Sequence, residues 1–105
     1  MVKNMLPIIS SVYADAKTLG TVGELLRDAK GTDNLVEKKD MLNKAYRLLN
    51  NIENEDETYI LQETINVSLE IVGNGAVLNN NMNRVITLAL KTLREVNTAI
   101  EKLIK

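Results

Sequence analysis

Apolar positions step along the last quarter of the chain by four and three. Met82, Ile86, Ala89, Leu93, Val96, Ile100 and Leu103 form a seven-residue repeat. That is the pattern of a helix packed lengthwise in a bundle or coiled coil. Leu88 falls off this stripe, on the face that also carries Glu95 and Lys102 and is expected to meet solvent. The repeat predicts a helix from about Asn80 to Ile104, roughly 37 Å long at 1.5 Å per residue. That exceeds the width of a domain this size, so its last turns are expected to overhang toward a second chain.

Earlier segments carry the same period. Ile8, Ile9, Val12, Tyr13, Ala16 and Leu19 predict a helix from about Leu6 to Leu19, with Pro7 in its first turn. Gly20 and Thr21 read as a stop and a new cap. A short helix from Val22 to Lys30 follows, ended by Gly31 in the left-handed conformation. Thr32 or Asp33 would cap the next helix, which runs to about Ile52. Its stripe is Leu35, Leu42, Ala45, Leu49 and Ile52, with Lys38, Lys39, Asp40, Asn43, Lys44 and Arg47 mostly off it.

Two patterns compete between Glu55 and Gly75. Ile65, Val67, Leu69 and Ile71 alternate with polar residues as a strand would, and Gly73-Asn74-Gly75 could turn a hairpin. Against this, Asn54 and Glu57 make a capping-box-like start, and Ile60, Leu61, Ile65, Leu69 and Val72 form a helical face ended by Gly73. A lone hairpin is marginally stable, so the helix is preferred. The pattern predicts one all-α domain over residues 1–105, an antiparallel bundle of four principal helices plus one short helix. The fallback is an α+β fold with a hairpin centred on Gly73 to Gly75.

Composition narrows the function. The chain has 105 residues, 13 basic and 14 acidic, and no His, Cys, Trp or Phe. Disulfides, thiolate or imidazole metal sites, His-based triads and thiol catalysis are excluded. A net charge of -1 argues against a general nucleic-acid or anionic-membrane binder. No apolar run reaches the ~18 residues of a spanning helix. The reading is a small intracellular protein of the cytoplasm, or of the host cytoplasm if viral. Asn (13 residues) and the excess of Lys over Arg point to AT-rich codons, and so to an AT-rich bacterium, phage or archaeal virus as the source.

The glycines at 20, 23, 73 and 75 lack the Lys and Ser/Thr of a phosphate loop and the spacing of a dinucleotide fingerprint. The carboxylates show no calcium-loop spacing, and no two of them share an apolar face. Catalytic, cofactor and metal residues are therefore assigned as none, and the chain is read as a non-enzyme. Three surface groups stand as candidates. Glu53, Glu55, Asp56 and Glu57 form an acidic turn that could steer a protein partner, with Tyr59 and Leu88 as apolar anchors. Leu93, Val96, Ile100 and Leu103 could form a homodimer seam. Arg84, Lys91, Arg94 and Lys102 could contact phosphates, although no aromatic accompanies them to stack on bases. The expected function is a protein-binding module, a small inhibitor or adaptor docking through a helix face. Self-assembly through the last helix and nucleic-acid binding are the alternatives, the latter disfavoured, and no membrane partner is expected.

Overall fold

The computed structural model describes the backbone of residues 2–52 and 55–104, and the side chains of residues 15–52 and 58–102. It contains four helices, α1 (Val2–Gly31), α2 (Leu35–Leu49), α3 (Glu55–Glu70) and α4 (Gly75–Ile104), and no strand among the described residues. Short connections reverse the chain after each helix. Consecutive helices pack on one another, and α1 packs on α4 to close the ring. This is an antiparallel all-α bundle. At 1.5 Å per residue α1 and α4 are each about 45 Å long, and α2 and α3 about half that. The molecule measures 56 × 19 × 19 Å.

One core runs along it. Leu19, Val22, Leu26 and Ala29 of α1 meet Leu42, Ala45 and Leu49 of α2, Leu61 and Ile65 of α3, and the stripe from Leu78 to Ile100 of α4. The side chains of Ile8 to Tyr13, expected on the first apolar face, lie outside the described residues.

The helix expected to break at Gly20 and Thr21 is continuous, so the separate short helix does not exist. Leu19, Val22, Leu26 and Ala29 keep their spacing of three, four and three across the glycine, and all are fully buried. Burying that stripe outweighs the roughly 1 kcal/mol that Gly costs inside a helix. Thr21 starts no new helix; its hydroxyl donates to the Lys17 carbonyl one turn back (3.4 Å). The helix also begins at Val2 instead of Leu6.

The caps differ from expectation too. Gly31 is not left-handed; positive φ occurs at Gly73 (144°) and Gly75 (60°). The N-cap of α2 is Asn34, whose Oδ1 accepts from the backbone N–H of Val36 (3.0 Å) and Glu37 (3.2 Å). Thr32 instead accepts from the Asn34 N–H and donates to the Glu37 carboxylate, each at 3.2 Å.

The hairpin fallback is overturned. α3 buries Thr58, Leu61, Ile65 and Ser68, which share a helical face, and turns Val67 outward. A strand would have buried Val67 beside Ile65 and Leu69. Gly73 and Gly75 make the α3–α4 turn, where their positive φ values suit glycine alone. α4 starts at Gly75, five residues before the expected Asn80, because Leu78 extends its buried stripe by a turn. Asn79, Asn80, Asn81 and Asn83 are therefore helical and not part of a loop.

Candidate functional site

The exposed apolar residues are unevenly distributed. Among the described residues, seven large hydrophobics stand exposed, and six of them, Tyr59, Ile60, Val67, Val72, Val77 and Leu88, belong to the α3–α4 hairpin. The seventh, Val36, starts α2. Helical spacing groups them. Ile60, Glu63, Val67 and Glu70 share the outer face of α3, and Val77, Arg84, Leu88 and Lys91 that of α4. The two expected anchors are thus exposed, Tyr59 by 62% and Leu88 by 53%. They do not share a helix. Tyr59 lies at the α2 side of α3, where it lines a polar groove with Leu49, Asn50, Thr58 and Gln62. Gln62 closes that groove by donating to the Asn50 side chain and the Tyr46 carbonyl. The side chains of Glu53, Glu55, Asp56 and Glu57, the expected acidic element, lie outside the described residues.

The expected dimer seam is internal. Leu93, Val96 and Ile100 are buried within one chain, Ile100 to 1% exposure. α1 equals α4 in length and packs along it, so the overhang expected of α4 has a partner inside the molecule. This corrects the assignment of these three residues to a free surface; the side chain of Leu103 lies outside the described residues. Leu93 also marks a close approach. A Cβ placed on buried Gly23 would sit 3.0 Å from Leu93 Cδ2, so glycine lets α1 approach α4 there.

The basic candidates are all at the surface. Arg84, Lys91, Arg94 and Lys102 are exposed on the outward half of α4, spread over about 27 Å of helix. Glu95 and Glu101, also exposed, interrupt the charge.

Sequence reasoning missed a buried polar cluster. Lys38 is fully buried, its ammonium donating to Asn83 Oδ1 on α4. Desolvation lowers its pKa from the ordinary lysine value, and the negative charge of Asp33 opposes that shift. One turn before Asn83 on α4, Asn79 donates to Asp33 Oδ1 (3.1 Å), while its own Oδ1 is buried with no hydrogen-bond partner. These pairs tie the α1–α2 turn and the start of α2 to the first turns of α4. Beside them opens a cleft of about 440 Å³ lined by Asp33, Leu35, Gly75, Ala76, Asn79 and Asn80. The signal for Lys38 was present in the spacing. Leu35, Lys38, Leu42, Ala45, Leu49 and Ile52 step by three and four without a gap, so Lys38 occupies a core position of the repeat.

Among the described residues no three carboxylates converge as metal ligands would, and no described helix is long and apolar enough to cross a membrane. No protein-family model, curated protein or solved structure matches the chain.

Proposed function

We propose that the chain is a non-enzymatic protein-binding module, a small inhibitor or adaptor that docks a protein partner on the outer face of the α3–α4 hairpin. The gathering of four exposed apolar side chains, Ile60, Val67, Val77 and Leu88, on the outer face of that hairpin carries the reading. Apolar residues scattered singly over a surface need no explanation, whereas their concentration on one face marks an interaction site. Ile60 and Leu88 are the anchors in this reading, with Tyr59 at the rim.

The test is capture from lysate of the source organism with wild type and with the Ile60→Asp, Leu88→Asp variant, both checked for helicity. Both sites are exposed, so the fold should survive. A protein held near one-to-one by wild type and lost by the variant supports the module. Identical recovery by the two sinks it.

A second reading is phosphate contact by nucleic acid through Arg84, Lys91, Arg94 and Lys102, supported by the exposure of all four. A gel-shift assay with DNA and RNA at low salt decides it, and the absence of any shift ends it.

A further inference from the structure

The outer face of the α3–α4 hairpin is divided by charge as well as being apolar. Its α3 half carries Glu63 and Glu70 between and beside Ile60 and Val67; its α4 half carries Arg84 and Lys91 around Leu88, with Glu95 one turn beyond Lys91 and farther from the α3–α4 turn. Glu70 accepts a hydrogen bond from Asn66 one turn back (3.1 Å). Glu63, Arg84 and Lys91 make no ion pair with any described residue. The two halves also match in height. Measured back from the α3–α4 turn, Glu63 and Arg84 lie roughly 10 and 14 Å along their helices, and Ile60 and Leu88 roughly 15 and 20 Å.

A surface with an acidic, apolar half beside a basic, apolar half at equal height is complementary to itself under a twofold rotation. With the axis between α3 and α4 and parallel to them, α3 of one copy lies over α4 of the other. Each Ile60 then meets Leu88 of the other copy, and each Glu63 meets Arg84 of the other copy. We propose that the occupant of this face is a second copy of the chain, paired in that way. The proposal rests on reading the face as a docking surface; in the dimer each copy covers that face until another protein partner displaces it. The dimer uses surface that the fold leaves open, and it leaves the Leu93–Val96–Ile100 stripe in the core.

Charge reversal tests the pairing. Wild type should dimerise with rising concentration in sedimentation velocity, more strongly at low salt. Glu63→Lys and Arg84→Glu should each weaken dimerisation by about tenfold or more, since both copies then present like charges at two symmetric places. Mixing the two variants should restore the dimer, because each contact across the mixed pair is again opposite in sign. An interaction within one chain could not be rescued by mixing. Both sites are exposed, and matched circular dichroism checks the fold; Leu88→Ser, checked likewise, should also weaken the dimer. A wild type that stays monomeric to about 1 mM overturns the proposal, as does a dimer that neither reversal affects, or one that mixing fails to restore. The docking-face reading fails separately, if the Ile60→Asp, Leu88→Asp variant still holds every partner that wild type holds.

Discussion

Two glycines three residues apart in α1 should respond to alanine in opposite ways. Both lie inside a continuous helix, so each substitution gains about 0.8–1.0 kcal/mol of helix propensity. At Gly20 nothing lies within 4 Å of the added Cβ, and the whole gain should appear as stability. For a domain near 100 residues that raises Tm by about 4–8 °C. At Gly23 the new methyl would sit 3.0 Å from Leu93 Cδ2 and 3.4 Å from Arg27 Nη1. Forcing an extra carbon into a packed contact costs about 1–3 kcal/mol. The net effect of Gly23→Ala should therefore run from neutral to about 2 kcal/mol destabilising. Thermal and urea unfolding followed by circular dichroism reads both values. Leu93→Val removes the offending atom, so the Gly23→Ala, Leu93→Val double variant should be more stable than the two single effects added together. If Gly20→Ala destabilised the protein, α1 would not be a plain helix through Gly20. If Gly23→Ala stabilised as much as Gly20→Ala, the close approach of α1 and α4 would be wrong.

Other parts of the structure give further expectations. Lys38→Met leaves Asn83 Oδ1 without its donor and should cost about 1–3 kcal/mol, reduced by any water that reaches it; Lys38→Met with Asn83→Leu should recover most of that loss in urea titrations. Because the Lys38 pKa is lower folded than unfolded, the unfolded chain binds the extra proton. Stability should therefore rise as pH climbs through the folded-state value toward the ordinary lysine value of 10.5, and Lys38→Met should flatten that rise. Gly75→Ala forces a side chain to adopt φ near 60° and should lower stability by about 1–2 kcal/mol, while Gly31→Ala, with open space and no left-handed φ, should not. Asn34→Ala removes the α2 cap and should cost about 1 kcal/mol in thermal unfolding.

Period proved a better guide than residue type. The α4 stripe and the outward position of Leu88 could be read directly, because a long repeat fixes which side of a helix is buried. Charge groups Lys38 with the residues mostly off the stripe, although its spacing places it in the seam. Burying a lysine needs a specific acceptor, here Asn83, and that contact spans 45 residues of sequence. Glycine weakens helices locally, so Gly20 reads as a stop, but the tertiary burial of Leu19 and Val22 on either side overrides that preference. Asparagine favours caps and turns, which sets the expected start of α4 at Asn80, whereas Leu78 on the core side carries the helix a turn further back. Of the candidate surface, Tyr59 and Leu88 were legible as exposed. Ile60 and Val67 were not, because Ile60 was placed on the buried helical face and Val67 belonged to the strand pattern.

The rod-like outline alters how the molecule moves through liquid. A chain of this length packed as a sphere would have a radius of gyration near 13 Å, whereas this one reaches 15.1 Å along a 56 Å axis. Gel filtration reports drag, so a lone copy should elute ahead of spherical proteins of 11.7 kDa and imitate a larger species. Light scattering and sedimentation equilibrium, which report mass, avoid that illusion. Tumbling is slowed unequally as well. Amide N–H bonds in a helix point nearly along its axis, and all four axes run with the rod. Almost every amide should therefore relax with the slow end-over-end rotation and give nuclear resonance lines as broad as those of a heavier sphere.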